Sequence, residues 1–145
     1  MKKLSILLFL AATSCASFAQ DIAQKDVPAV VVNAFQQKFP NQANVEWELK
    51  RGLYEAEFEI KTMDHSVYLD STGKVVKHKQ EIAETELPAV VMATIKKDFA
   101  GYKLEDPKKI EEGTTVTYKV ELEKGTDERK VTFGTDGKVI VNKAD

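Results

Sequence analysis

Side chains able to perform acid–base or metal chemistry are scarce in this sequence. It contains only the histidines His65 and His78 and the cysteine Cys15. Nucleophilic catalysis needs a base beside a hydroxyl or thiol, and no Gly-x-Ser-x-Gly segment is present to hold that pair. Zinc needs about three or four His, Cys or carboxylate ligands at short spacing, which the sequence does not offer. We therefore predict no catalytic residue, no metal site and no cofactor, and two exposed histidines at strand ends.

An acidic set is the main candidate for binding. Its members alternate with apolar residues, so they would share one face of a sheet. This face could meet a basic protein surface or loosely hold Ca²⁺. It could equally be a solvated face on which Lys50, Arg51 and Lys61 interleave with the carboxylates, because like charges on adjacent strands repel. The set consists of Glu46, Glu48, Glu55, Glu57 and Glu59.

Trp47 lies between Glu46 and Glu48 and has two interpretations. Tryptophan often anchors protein interfaces, which makes Trp47 a candidate contact residue. Its alternation with Val45 and Leu49 instead favours a place in the core. The candidate interaction surface therefore consists of Trp47, Glu46, Glu48, Glu55 and Glu57.

Two segments of helical periodicity organise the chain. Apolar residues recur at i, i+3, i+4, i+7 and i+8 within 27–39, and the same pattern returns sixty positions later within 87–99. We expect the first helix to begin near Asp26, whose carboxylate would cap it. It should end at Phe39, because Pro40 cannot continue a helix.

After each helix the sequence alternates with a period of about two, which indicates strands. The segment 20–25 reads as a frayed leader, and 103–110 as an edge or irregular strand because it contains Pro107. Tyr54 matches Tyr118, so four residues are inserted in the second unit, between Lys103 and Gly113. In the first unit the predicted strands are 44–50, 53–60, 65–69 and 74–79.

The sequence therefore predicts an α+β domain made of two repeats, about 26–82 and 83–145. A unit of this length is marginal alone, because one helix hides only one sheet face. We expect the two units to lie side by side in two layers. Their antiparallel sheets should be continuous or nearly so.

Residues 1–19 are predicted to be a signal peptide. Two lysines precede an apolar run that is too short to span a bilayer, and Ser17 and Ala19 favour cleavage after Ala19. The rival is a poor lipoprotein box at 12–15, in which Cys15 would carry a lipid anchor. We favour soluble export to the periplasm or beyond, with no transmembrane segment in residues 20–145.

The charge balance argues against some partners. The chain has 21 basic and 23 acidic residues, and loss of Lys2 and Lys3 leaves 19 basic residues and a net charge near −4. Nucleic acids and anionic membranes require a basic face. We therefore expect neither as a partner.

The repeated pattern resembles a family of secreted, PepSY-like, β-lactamase-inhibitor-like proteins. The resemblance lies in xPAVxxAFxxxFP, then a strand with an aromatic residue, a Tyr-x-Val-x-Leu type strand, and a closing strand near Gly-Lys-Val, and it covers residues 25–143. It implies a tandem duplication of a helix plus four-stranded antiparallel sheet, similar to the two halves of β-lactamase inhibitory protein. It also implies exchange of the closing strands, with Val139–Val141 in the first sheet and Val75–Lys77 in the second.

The family has no established catalytic or ligand residues to carry over. We expect an exported, non-enzymatic module that binds a protein or peptide of the envelope, and inhibition of a hydrolase is one form of that function. The alternative is a carrier of a small ligand or metal that uses the acidic face or a groove between the repeats.

Overall fold

The computed structural model describes residues 20–145. The predicted signal peptide and Cys15 lie outside the described residues, so both remain predictions. Two helices, α1 (Ala29–Lys38) and α2 (Ala89–Asp98), accompany one sheet of nine strands. The strands are β1 (Gln20–Ile22), β2 (Glu46–Lys50), β3 (Leu53–Ile60), β4 (Met63–Leu69), β5 (Val75–Glu81), β6 (Lys103–Glu112), β7 (Thr115–Lys124), β8 (Asp127–Gly134) and β9 (Val139–Ala144).

Strand order in the sheet equals chain order, and every neighbouring pair is antiparallel. The predicted α+β duplication with a continuous sheet is therefore confirmed. Both apolar faces lie on the same side, because one row of paired residues runs from the first core to the second. That row is Phe58, His65, Gln80, Lys109, Tyr118 and Phe133.

Each helix covers its own repeat. Val31 and Phe35 of α1 are buried against the apolar face of β2–β4, and Val91 and Ile95 of α2 are buried against β7 and β8. These side chains are the predicted apolar stripes. The helices end as expected, because the Phe39 N–H still donates to the Phe35 carbonyl but Pro40 follows.

The segments before the helices differ from the prediction. Gln20–Ile22 is not a frayed leader but strand β1, which pairs with β2. Asp26 lies in a single 3₁₀ turn, and α1 begins after Pro28 without a side-chain cap. In the second repeat Glu86 accepts a hydrogen bond from the Ala83 N–H at 2.8 Å, so this carboxylate stabilises the turn before α2.

The expected exchange of closing strands is wrong. Val75 pairs with Leu69 of β4, and Val139 pairs with Phe133 of β8, so each closing strand stays in its own repeat. The physical reason is the tight turn before each strand. The Asp70 N–H donates to the Lys74 carbonyl, which reverses the chain at once and places β5 beside β4.

Strand β6 is central rather than an edge, although it is irregular as predicted. It pairs with both β5 and β7, and its register shifts between Glu105 and Lys108. Asp106 has a φ of 48°, and Pro107 sits in this bulge, where its missing N–H is tolerated. The Pro107 carbonyl accepts a hydrogen bond from the Ile82 N–H at 3.0 Å, which helps to join the repeats.

The four-residue insertion forms an extension of the β6–β7 hairpin. Leu49 pairs with Tyr54, five positions away, whereas Lys109 pairs with Tyr118, nine positions away. The added arm contributes Ile110, Glu111 and Glu112, which make three of the five residue pairs between β6 and β5. The insertion thus supplies most of the backbone connection between the repeats.

Candidate functional site

The candidate site lies on the side of β2–β5 opposite α1, which we call the helix-free face because no helix of residues 20–145 covers it. Strand alternation places the predicted carboxylates here. Two neighbouring rows cross this face. One contains Glu48, Glu55, Tyr68, Lys77 and Glu112, and the other contains Glu46, Glu57, Ser66, Lys79 and Ile110.

Glu55 is the unusual member of this face, because its side chain is 0% exposed. Lys50 Nζ lies 2.5 Å from Glu55 Oε2, and Lys79 Nζ lies 3.7 Å from Oε1. These two lysines provide the counter-charge for the buried carboxylate. Burial by itself raises the pKa of Glu55, but the Lys50, Tyr68 and Lys79 side chains outweigh it and lower the pKa. Glu55 is therefore a buried anion.

The groups around Glu55 respond to its charge. Burial, followed by repulsion from Glu55, raises the pKa of Glu57. Burial and the neighbouring Glu55 also raise the pKa of Tyr68, which keeps its hydroxyl protonated. The Lys79 ammonium lies 5.0 Å from the centre of the Tyr68 ring, a cation–π distance. Perturbed ionisable groups on an uncovered face are typical of functional sites, although structural ion pairs produce them too.

A depression of about 520 Å³ opens beside this cluster. Its lining combines apolar surface from Leu53, Tyr68 and Val76 with charged groups. Lys77 Nζ lies 2.7 Å from Glu112 Oε1 of the second repeat, so both repeats contribute to the lining. Apolar surface beside charged groups is common in protein-binding patches.

The predicted site residues separate into groups. Glu46, Glu48 and Glu57 lie on the helix-free face. Glu55 lies on the same face but is buried beneath the neighbouring side chains. Trp47 lies on the other face, where it is 3% exposed and meets the Phe35 ring edge-on at 5.4 Å. The structure thus places Trp47 in the core, as its alternation indicates, and not on a contact surface.

Cations interleave with the carboxylates, but they are not the expected set. Lys50 does so, whereas Arg51 and Lys61 occupy exposed turns with positive φ. Lys79, Tyr68 and Lys77 complete the site. Sequence reasoning missed them because they come from β4 and β5, and only the strand register brings them to Glu55.

The prediction of two exposed histidines is wrong. His65 is 7% exposed, and its Nδ1 lies 3.0 Å from His78 Nε2. The His65 ring stacks on Phe58, and His78 Nδ1 lies 3.5 Å from Glu111 Oε2 of the second repeat. Burial lowers the pKa of both histidines. Their contact depends on the pairing of β4 with β5, which local sequence does not reveal.

A larger pocket of about 790 Å³ borders the end of the helix-free face. Its carboxylates outnumber its cations, which are Lys79 and Lys108. Within residues 20–145 no group of three or more His, Cys, Asp or Glu side chains is arranged to hold a metal ion. The acidic residues that line this pocket are Glu46, Glu57, Glu59, Asp64 and Glu81.

The fold defines a two-layer α+β protein built from a duplicated helix-plus-meander unit. The family model described as "Putative beta-lactamase-inhibitor-like, PepSY-like" matches residues 14–77 and 74–141. The chain therefore belongs to this family, which is described as inhibitor-like. No curated protein sequence matches the chain.

Solved structures from Bacteroides species share the fold. A DUF2874 family protein from Bacteroides uniformis has 19% identity and a TM-score of 0.74, covering 81% of this chain and 88% of that chain. A protein from Bacteroides eggerthii, described among "putative periplasmic proteins", has 17% identity and a TM-score of 0.76 with the same coverage. A BLIP-like protein from Bacteroides fragilis has 18% identity and a TM-score of 0.70, covering 81% of this chain and 85% of that chain. At such identities the likeness is one of fold.

Proposed function

We propose that this protein is an exported, non-enzymatic binding module that uses the helix-free face to hold a protein or peptide of the envelope. The observation that carries the proposal is the buried Glu55 anion beside the depression of Leu53, Tyr68 and Val76. Fixed charges beside half-buried apolar surface favour one partner over others, because a mismatched partner would leave charges desolvated and unpaired.

The membership of an inhibitor-like family supports this proposal. Export is supported by the signal-like residues 1–19 and by the Bacteroides eggerthii relative described as periplasmic. Within residues 20–145 no helix is both long and apolar enough to cross a bilayer. Cell fractionation and N-terminal sequencing test export, with a new N-terminus at Gln20 as the expected result. A Cys15→Ser variant should be processed in the same way, whereas loss of processing would support the lipid anchor.

The binding surface is tested by replacing Val76 with aspartate. We expect Val76→Asp to weaken capture of the partner from envelope extract at least about tenfold, because a charge replaces apolar lining of the depression. Val90→Asp is the matched control, since Val90 is an exposed valine of α2 far from this face. Equal capture by both variants would exclude the helix-free face as the binding surface.

Inhibition of a hydrolase is the finer form of the proposal. The family description and the BLIP-like relative from Bacteroides fragilis support it. Purified β-lactamases and envelope peptidases should be titrated with the protein. Stoichiometric loss of activity that Val76→Asp abolishes is the expected result, and full activity of every hydrolase at saturating protein would count against inhibition.

A carrier of small cations is the second candidate, favoured by the acidic pocket of about 790 Å³. Ligands that bind the native state raise the melting temperature with concentration. Divalent cations and small organic cations should therefore be compared by thermal shift. A rise that disappears in Glu57→Gln would support the carrier over the protein-binding module.

A further inference from the structure

The outer edge of β9 is the unpaired side of the last strand in the described chain. Strand β9 pairs with β8 alone, and all six of its residues are exposed. Unpaired backbone donors and acceptors along a strand are a template for pairing with another strand. The apolar residues on this strand are Val139, Ile140 and Val141, which are 40%, 58% and 37% exposed.

The first repeat shows what the equivalent edge accepts. Gly73 and Gly137 close equivalent turns, so β5 residues 77–81 correspond to residues 141–145. The outer edge of β5 is filled by Lys108–Glu112 of β6, in antiparallel pairing over five residue pairs. In the first repeat this strand position is therefore paired on both sides.

A second copy cannot fill the β9 edge by continuing the repeat. The strand equivalent to β6 is β2, and the outer edge of β2 is already paired with β1. The β2–β3 hairpin also lacks the four-residue extension that makes three of the five pairs with β5. Pairing of the β5–β6 kind is therefore excluded, and the edge at the N-terminal end of the sheet is the three-residue strand β1.

Within residues 20–145 the sheet ends at β1, which has three residues, and at β9, which has six. The edge that matches β9 in length and apolar character is therefore β9 of a second copy. We propose that β9 pairs in antiparallel fashion with β9 of a second copy, which gives a two-fold symmetric dimer with one sheet continuous through both copies. A pairing centred on Val141 places valine against valine. It sets Lys143 opposite Val139 and Lys138 opposite Ala144, so no two lysines face each other.

The symmetry of this pairing limits assembly. The two-fold contact uses the β9 edge of each copy. The edges left at the ends of the dimer are the short β1 strands. An isologous contact of this kind closes, whereas a heterologous one would build filaments. The dimer thus covers the apolar edge without making it a seed for fibres.

Sedimentation equilibrium of the purified protein tests the dimer. We expect a concentration-dependent dimer, and in Val141→Lys at least a hundredfold weaker one, because two lysines would meet at the centre of the pairing. Val30→Lys is the matched control, since Val30 is 50% exposed on α1 and away from the edge. A wild-type protein that is monomeric up to millimolar concentration would overturn the proposal, as would a Val141→Lys dimer of unchanged affinity.

Cross-linking keeps the test decisive if Val141→Lys is poorly folded. Cys15 is the only cysteine of the chain, so a Cys15→Ser background leaves any introduced cysteine as the sole thiol. Directly opposed residues of paired strands lie within the span of a disulfide. Val141→Cys should form disulfide dimers much faster than Val30→Cys under mild oxidation, and equal rates would refute the pairing. Neither measurement involves the helix-free face, so the outcome is independent of the proposed function.

Discussion

Equivalent positions on the helix-free side of the two repeats carry opposite chemistry. In the first repeat Glu55 is flanked by Glu48 and Tyr68, whereas in the second Lys119 is flanked by Lys108 and Thr132. Both rows sit under the same backbone plan, so the fold does not require a buried carboxylate. The difference teaches that the shared backbone does not by itself account for the Glu55 cluster, which agrees with the binding role proposed for the first repeat.

A second difference lies at the corner where β4 and β5 meet the end of α1. His65 and His78 pack there against Phe58 and Phe39. At the corresponding corner of the second repeat Arg129 Nη1 lies 3.5 Å from Asn142 Oδ1, and both residues are more exposed. The histidines are covered by β6, whereas the second corner lies next to the open β9 edge.

The largest loss of stability is expected at core positions that are buried in both repeats. Leu69 and Phe133 are fully buried at equivalent positions. Leu69→Ala and Phe133→Ala should each lower the free energy of unfolding by about 2–5 kcal/mol, because each leaves a cavity in its core. Urea denaturation of both variants measures this. One cooperative transition in both would show a shared folding unit, and loss of only one repeat's signal would show that the repeats unfold separately.

Gly73 and Gly137 test whether the turn before the closing strand is packed equally tightly against the helix in both repeats. A Cβ on Gly137 would lie 2.7 Å from the Val90 carbonyl oxygen, and one on Gly73 would lie 2.9 Å from the Val30 oxygen. We expect Gly137→Ala and Gly73→Ala each to cost about 2–3 kcal/mol, since both positions also have positive φ. Gly52→Ala is the control, because Gly52 has φ +79° but open space around it, and should cost only about 1 kcal/mol. Equal losses at all positions would show that the helix contact carries no penalty.

The contributions of the Glu55 row and the Lys119 row to stability can be compared by removing one charge from each. Glu55→Gln leaves Lys50 and Lys79 without their buried counter-charge and should lower the free energy of unfolding by about 1–3 kcal/mol, because both lysines retain some solvent. Lys119→Gln, at the equivalent position, should change it by less than about 0.5 kcal/mol. Chemical denaturation at neutral pH measures both, and similar losses would contradict the special role of Glu55.

The smallest change in stability should come from protonation of the two histidines when the pH is lowered. Burial lowers the pKa of His65 and His78 in the folded state, and Lys38 acts in the same direction on His78, while Asp64 and Glu111 oppose it. Their contribution to stability is therefore full above the unfolded pKa of about 6.5 and is lost as the pH falls through the lower folded values. His78→Asn introduces the residue of the second repeat and should flatten the decline in melting temperature below pH 6.5. An unchanged decline would place the pH dependence elsewhere.

Local signals in the sequence were enough for most of the fold. The apolar stripes within 27–39 and 87–99 predict both helices, and period-two alternation predicts strands such as 53–60 within a residue or two. The site was only partly predictable. The carboxylates of Glu46, Glu48 and Glu57 could be assigned to one face, but the burial of Glu55 depends on lysines from other strands. Strand exchange failed as a prediction because turn geometry at Asp70 decides which strand β5 joins.

The agreement between strand order and chain order bears on how quickly the protein folds. Most strands pair with a partner joined by a short turn, and the longest closures are those that bring β1 to β2 and β5 to β6 across a helix. Contacts between near neighbours in sequence require little chain entropy to be lost before they form. This chain should therefore reach its native state faster than a sandwich of similar length whose sheets join distant segments.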